Sequence, residues 1–259
     1  EGTASPTQLT FTAVNWNLPQ AVTITGRNDA VDDGHCTYHI ITQPVVSADS
    51  NYQGINPADV WVTNLNDDTA GVTIVAEGGA AEVTEGGASD TYSVVLTAQP
   101  TSDVVIAVTP DSQLSVSSAS LTFTAADWDA PQWVTVTAVD DALVENEHSG
   151  RITHAAASGD VKYQGIAIGS VPVQIIDNDA AGFAVTPAGG LITGEAGGTT
   201  TFTVMLTSQP AAAVTINLSS SDPGEGMVSP ASLTFTAANW NAPQTVTVTG
   251  ADDRVVDGD

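Results

Sequence analysis

The densest group of potential ligands in the sequence is a run of four carboxylates within eight residues, formed by Asp140, Asp141, Glu145 and Glu147. Such a concentration of negative charge is costly unless positive charge lies nearby. The chain has only 4 Lys and Arg residues against 30 Asp and Glu residues. We therefore expect a bound cation rather than a solvated acidic tip, and Ca²⁺ fits best because it takes about 6–8 oxygen ligands.

Other cations and other chemistries fit the sequence less well. Mg²⁺ would keep more of its waters, and Zn²⁺ would want His or Cys ligands. His148 follows the acidic run, but we expect it to be an exposed polar residue. Cys36 is the only cysteine, so no disulfide framework is predicted. The sequence contains no recognisable catalytic set and no phosphate-binding glycine loop, so we do not expect an enzyme.

Charge and hydropathy restrict the partners. The net charge of -26 argues against nucleic acid and against anionic membrane surfaces. No apolar run approaches the roughly 20 residues of a membrane span. The chain opens without a signal peptide, so we expect that one was removed or that this is an internal fragment.

The acidic run belongs to a unit that recurs in the chain. Leu-Thr-Phe-Thr-Ala begins at Leu9, Leu121 and Leu233, with a spacing of 112 residues both times (121 − 9 and 233 − 121). Each copy continues with a tryptophan, a Pro-Gln pair, an alternating Val/Thr-rich strand and an acidic loop. Repeats of this kind predict tandem modules.

The matching segments define three modules of unequal completeness. We predict the C-terminal half of a module over 1–69, a complete module over 70–179 and the N-terminal part of a third over 180–259. Half a sandwich cannot close its core. We therefore expect the sequence to continue into a longer array, or halves from different copies to pair in a fibre by strand complementation.

The complete module is predicted to hold seven short strands. Their predicted ranges are 71–75 with a possible extension over 81–84, then 91–97, 103–108, 114–123 with a break, 133–138, 150–154 and 171–176. Short Val/Thr-rich strands separated by turn residues are typical of an immunoglobulin-like antiparallel β-sandwich. We expect the tryptophans Trp16, Trp128 and Trp240 to pack in the core or at its edge.

Alternating strand direction brings the acids together. The first, third, fifth and seventh strands end at one pole of such a sandwich, and the acids of the complete module follow those ends. They are Glu85, Asp111, Asp140, Asp141, Glu145, Glu147, Asp177 and Asp179. The segment carrying the last two runs into the next module, so a cation at this pole would also fix the angle between modules.

These residues resemble the Calx-beta domain. The resemblance rests on Glu85-Gly86-Gly87, on Asp140-Asp141 with the two glutamates after them, and on Ile175-Ile176-Asp177-Asn178-Asp179. It implies a calcium-binding β-sandwich of the bacterial extracellular type, with Glu85, Asp140, Asp141, Glu145 or Glu147, Asp177 and Asp179 as ligands and Asp111 as a looser match. The third copy offers Glu195, Asp252, Asp253, Asp257 and Asp259, with Asp222 loose; the first copy offers Asp29, Asp33, Asp67 and Asp68.

The resemblance also implies where the sites are weak. In the first copy Asn28 replaces Asp140 and His35 replaces Glu147, and the front-half glutamate is absent from the chain. The third copy stops before its Asp-Asn-Asp segment. We expect both of these sites to be incomplete.

The function expected from the sequence is structural. We predict a calcium-stiffened rod, stalk or fibre of a secreted or cell-surface protein, whose partners are neighbouring repeats and other copies of the chain. Two alternatives remain open: a calcium-dependent adhesion module that binds a glycan or protein, and an accessory region of a large secreted enzyme.

Overall fold

The computed structural model describes residues 1–76 and 78–252. It is an all-β protein, as predicted, and its strands are short. In the described residues, no helix is long and apolar enough to cross a membrane. The strands of the complete module are β5 (Val72–Ala76), β6 (Ala81–Thr84), β7 (Asp90–Leu96), β8 (Val104–Pro110), β9 (Leu114–Val116), β10 (Ser120–Phe123), β11 (Gln132–Ala138), β12 (His148–Ser158) and β13 (Val171–Ile176). Before them in the chain come β1 (Gly2–Ser5), β2 (Thr23–Gly26), β3 (Cys36–Ile40) and β4 (Val60–Asn64).

The strands of the complete module form two sheets. One sheet has the order β10-β8-β12-β13-β6 and the other the order β5-β7-β11-β9. All pairs are antiparallel except β13 and β6, which run parallel with Val173 opposite Ala81. The immunoglobulin-like sandwich is therefore confirmed, with one parallel pair that an entirely antiparallel scheme did not include.

Alternation of buried and exposed side chains builds the core. Along β8 and β13 every second residue is buried, because successive side chains of a strand point to opposite faces. Val94 and Val134 of one sheet and Ile106 and Val173 of the other belong to one buried cluster. This packing between the sheets is what holds the ends of the strands in place at the pole.

The third part of the chain repeats one sheet of this arrangement. Its strands are β14 (Phe183–Thr186), β15 (Thr199–Leu206), β16 (Val214–Asn217), β17 (Gly226–Ser229), β18 (Ser232–Phe235) and β19 (Gln244–Gly250). Four of them form a sheet in the order β14-β15-β19-β17, and β16 pairs with β18. A small buried cluster includes Phe235 and Val246.

Residues 1–69 form hairpin-like pairs without a closed core. Strand β1 pairs with β2, and β3 pairs with β4. No residue of 1–69, all of which the structure describes, is buried. Trp16 is exposed, which contradicts the expectation that it packs, whereas Trp128 and Trp240 lie partly buried against their clusters. In the complete module the carbonyl of Trp128 accepts the N–H of Leu96 in β7, and residues 1–69 contain no counterpart of β7.

The acidic loops contact the following module in the same way twice. The backbone N–H of Gln99 donates to the carbonyl of Ala30 at 2.7 Å, and the N–H of Gln209 donates to the carbonyl of Ala142 at 2.7 Å. Each glutamine belongs to a Leu-Thr-x-Gln-Pro segment, and each alanine lies in an acidic loop. The loop that carries the candidate ligands thus also carries a contact between modules.

Candidate metal centre

The four predicted segments meet at one pole of the complete module. Glu85 follows β6, Asp111 follows β8, Asp140 and Asp141 follow β11, and Asp177 follows β13. The parallel pairing of β6 with β13 extends into the turn, where the N–H of Glu85 donates to the carbonyl of Ile176 at 3.0 Å. This parallel ladder, more than the alternation of strands, fixes Glu85 beside the segment 177–179.

The side chain of Asn178 ties three of these segments together. Its Nδ2 donates to the carbonyl of Glu85 at 2.8 Å and to Oδ1 of Asp140 at 2.9 Å. Gly86 makes this approach possible: its φ is +58°, and a Cβ there would lie 2.9 Å from Asn178 Nδ2 and 3.0 Å from Asp140 Oδ1. A side chain at position 86 would therefore push the segments apart, and the third copy has Ala196 at this position.

Asp177 holds the acidic loop by its backbone. Its Oδ2 accepts hydrogen bonds from the N–H groups of Glu145 at 2.7 Å and Asn146 at 2.8 Å, and its Oδ1 accepts from Asp179 N–H at 2.8 Å. The N–H of Asp179 is the main reason why the pKa of Asp177 lies below its ordinary value, against an opposing effect of burial. Asn146 adopts a φ of 60°, the left-handed conformation that an asparagine tolerates.

Glu85 and Asp179 each have one buried carboxylate oxygen to which no described group donates a hydrogen bond. Glu85 is 2% exposed, and its Oε2 is buried without a hydrogen-bond partner. Oδ2 of Asp179 is likewise buried and unpartnered. Burial raises the pKa of both carboxyls, and the charge of Asp177 raises both further. A buried acceptor that lacks a donor costs free energy, so this pair marks the place where a cation would be most favourable.

Two groups of side chains at this pole have the spacing to hold a metal ion. In the first, ligand atoms of Glu85, Asp141 and Asp179 all lie within 4.8 Å of one another. In the second, ligand atoms of Glu85, Glu145 and His148 do so. The two groups share Glu85, which makes it the central side chain of the pole.

The remaining predicted ligands of this module take other positions. Asp140 lies beside the first group through its contact with Asn178. Asp111 uses its two oxygens to accept the backbone N–H groups of Gln113 and Arg151, so it shapes the end of β8. Between the two glutamates that the sequence could not separate, Glu145 joins a metal-competent group and Glu147 is exposed outside both.

In the first copy the predicted acids lie near one another, but they do not converge as closely as the acids at the pole of the complete module. Asp29, Asp33, Asp67 and Asp68 line one shallow depression. Burial, followed by the charges of Asp67 and Asp29, raises the pKa of Asp68. Across residues 1–69, no three potential ligand atoms meet the spacing found in the central module.

In the third copy the described acids are dispersed. Glu195, Asp222 and Asp252 are exposed, and Asp222 Oδ1 accepts the N–H of Gly224 at 3.0 Å within its own turn. Asp253, Asp257 and Asp259 lie outside the described residues. Residues 190–198 form no strand, although they match the region of β6. In the complete module the strand of this region, β6, pairs in parallel with β13.

Two side chains of the site were not predicted. Asn178 was visible only as the middle residue of Asp-Asn-Asp, and its role depends on a contact 93 residues away in sequence. His148 was expected to be exposed, but its side chain is only 21% exposed and lies beside Glu145. Its position at the start of β12, directly after the acidic loop, was the available signal.

Comparisons with known proteins give only distant likenesses. No family model matches the chain, and no curated protein matches it. Among solved structures, CBD12 from CALX1.2 has a TM-score of 0.32 at 18% identity, covering 71% of this chain and 76% of that one. The calcium binding domain CBD12 of CALX1.1 has a TM-score of 0.32 at 19% identity, covering 70% and 76%.

A single-domain structure gives a similar result. The apo form of the Calx CBD1 domain has a TM-score of 0.31 at 19% identity, and the match covers 42% of this chain and 98% of that domain. TM-scores and identities this low do not indicate what this chain binds, so a bound cation has to be inferred from the chain's own residues.

Proposed function

We propose that the pole of the complete module binds Ca²⁺. The observation that carries this proposal is the buried, unpartnered Oε2 of Glu85, which belongs to a group of converging carboxylates with Asp141 and Asp179. Three carboxylates at this spacing repel one another, and among the described residues no lysine or arginine is a hydrogen-bond partner of theirs. A divalent cation would supply both the missing charge and the missing partner.

Calcium suits this group better than magnesium or zinc. The ligand atoms of the first group are all carboxylate oxygens, the donors that hard cations prefer. Asp140 is held beside the group by Asn178 and adds a further carboxylate. Mg²⁺ would demand a near-octahedral shell at about 2.0–2.1 Å, whereas Ca²⁺ accepts the irregular geometry of groups drawn from three loops.

The role that we propose for the cation is structural. The loop that contains Asp140 and Asp141 also contains Ala142, whose carbonyl accepts a hydrogen bond from Gln209 of the next module. An ion bound by the loop would restrict the motion of the loop. Through the hydrogen bond of Ala142 with Gln209 it would also restrict the junction between the complete module and the next one. We therefore infer a non-enzymatic, calcium-stiffened repeat of a secreted or cell-surface protein. Extracellular calcium of millimolar concentration would load a site with a Kd of about 10⁻⁴–10⁻³ M.

Thermal unfolding with Ca²⁺ and with a chelator tests the proposal. Binding to the folded state alone adds about 2.7 kcal/mol at a hundredfold excess over Kd, which raises Tm by on the order of 10 °C for a module of this size. We expect Asp179→Asn to remove most of this shift. Asp129→Asn, which changes an exposed acid after β10, is the matched control and should retain it. An equal Tm in Ca²⁺ and in chelator would contradict the proposal.

A further inference from the structure

The second group at the pole contains a histidine, which calcium does not need. Ligand atoms of Glu85, Glu145 and His148 lie within 4.8 Å of one another. Nε2 of His148 is 3.7 Å from Oε2 of Glu145. An imidazole nitrogen with two carboxylates is a donor set typical of Zn²⁺ and related transition-metal ions.

The hydrogen bonds of His148 orient it as a ligand. Its Nδ1 lies 3.0 Å from the carbonyl oxygen of Asn146, which can only accept, so Nδ1 carries the proton. In the neutral ring Nε2 then carries the lone pair, and it lies 3.7 Å from Glu145 Oε2 and 3.4 Å from the amide nitrogen of Gln113. Metal-binding histidines commonly donate their other N–H to a carbonyl in this way, because the bond fixes both the tautomer and the ring.

The orienting carbonyl is itself held in place. Asn146 has a φ of 60°, and its N–H donates to Oδ2 of Asp177 at 2.8 Å. Asp177 thus fixes the residue whose carbonyl fixes His148. The arrangement extends from β13 through the loop to the imidazole, which is more support than a solvent-exposed histidine requires.

Glu85, which both groups share, supplies a second observation that points to a ligand at this position. It is nine-tenths or more buried, and its Oε2 has no hydrogen-bond partner. Gln113 contacts the other two members of the group, with its Nε2 2.9 Å from Glu145 Oε2 and 3.4 Å from His148 Nε2. A half-turn of the Gln113 amide would replace this nitrogen by Oε1 and offer a neutral fourth ligand.

We propose that Glu85, Glu145 and His148 form a second cation position, which takes a divalent transition-metal ion of the Zn²⁺ class. This position goes beyond the proposed calcium function and shares only Glu85 with it. The imidazole selects against Ca²⁺, which takes oxygen ligands, and favours ions that accept nitrogen.

The first copy has related residues at the same repeat positions. Cys36 corresponds to His148, Asp33 to Glu145 and Glu1 to Gln113, each 112 residues apart (148 − 36, 145 − 33 and 113 − 1). Cys36, the only cysteine of the chain, lies close enough to Glu1 for a side-chain hydrogen bond. A residue type that binds transition metals therefore occupies this position in both copies.

Calorimetric titration with ZnCl₂ tests the proposal. All proteins carry Cys36→Ser so that the first copy contributes no thiolate, and each is titrated with and without saturating CaCl₂. We expect one Zn²⁺ per chain and a loss of affinity of about tenfold or more in His148→Gln. His39→Gln, which changes a histidine of β3, is the matched control and should bind Zn²⁺ as the parent does.

Two further variants separate the two proposals. Asp141→Asn removes a carboxylate from the calcium group only, so it should weaken Ca²⁺ and leave Zn²⁺ unchanged. Glu85→Gln should weaken both ions. Equal Zn²⁺ affinity in the parent and in His148→Gln would overturn the inference, whatever the calcium result. If the parent protein binds no Ca²⁺ but does have a Zn²⁺ site that depends on His148, the calcium function is refuted and the Zn²⁺ position stands.

Discussion

Glu85 and Asp177 lie at the same pole, but their pKa values are shifted in opposite directions. Asp177 accepts three backbone N–H groups, which lower its pKa. Glu85 has a buried oxygen without a donor, and burial followed by the charge of Asp177 raises its pKa. The carboxylate of Asp177 thus stabilises the loop by itself, whereas no described residue donates a hydrogen bond to the buried Oε2 of Glu85.

Replacing Glu85 should therefore have opposite effects with and without a cation. In chelator at neutral pH, Glu85→Gln removes an uncompensated buried charge, and we expect it to stabilise the protein by about 1 kcal/mol. In Ca²⁺ the same variant should be less stable than the parent protein, because it lacks a ligand. Differential scanning calorimetry in the two buffers measures both effects.

The pH dependence of stability in chelator tests separately whether the charge of Glu85 destabilises the folded protein. The folded pKa of Glu85 lies above its ordinary value of 4.5, so the folded state holds more protons than the unfolded state in that range. Stability should fall as pH rises from about 4.5 through the folded pKa, and Glu85→Gln should lack this part of the decline. Glu82→Gln, an exposed change on β6, the strand that Glu85 follows, is the control; if it behaves like Glu85→Gln, burial of the charge is not the cause.

Asp177→Ala should loosen the acidic loop. The change removes the acceptor of the N–H groups of Glu145 and Asn146, so we expect faster hydrogen exchange at these two amides. The pKa of Asp177 is lowered, so its contribution is present above its ordinary value of 3.8 and is lost as pH falls through the folded pKa. Unchanged exchange at both amides, with Asp129→Ala as reference, would contradict this role.

Tyr163 offers a test of the sandwich itself. Its hydroxyl donates to the carbonyl of Ala98 at 2.6 Å and accepts the N–H of Ala98 at 3.1 Å, and the residue is 1% exposed. Tyr163→Phe leaves both backbone groups unpaired, so we expect a loss of about 1–3 kcal/mol in urea unfolding. Tyr52 is its counterpart in the first copy and is 58% exposed, so Tyr52→Phe should be close to neutral. Similar losses of stability in the two variants would contradict the conclusion that the buried hydrogen bonds of the Tyr163 hydroxyl stabilise the sandwich.

The strand positions could be predicted from the sequence because burial alternates along them. The predicted range 171–176 coincides with β13, and the predicted break within 114–123 separates β9 from β10. The range 150–154 was too short, since β12 extends to Ser158 along the whole of β8. Alternation marks which residues point inward, but it does not show how far a neighbouring strand continues to supply hydrogen bonds.

The site was harder to predict than the fold. Acid positions after strand ends indicated a common pole, yet Glu147 could not be separated from Glu145, and Asp111 was set apart only as a looser match to the Calx-beta pattern. That distinction depends on which oxygens already accept backbone N–H groups, as in Asp111, and which are buried without a partner, as in Asp179. Both properties arise from contacts distant in sequence.

Calcium should protect the junction as well as the site. The N–H of Gln209 donates to the carbonyl of Ala142 at 2.7 Å, next to Asp141 in the chain. If the ion restricts the loop, Ca²⁺ should slow hydrogen exchange at the Gln209 amide relative to chelator, and Asp141→Asn should abolish the difference. The amide of Gln99, which makes the same bond to Ala30 beside the less converged first set of acids, is the internal control and should respond less. Protection of the loop without protection of Gln209 would mean that the cation stiffens the module alone and leaves the junction free.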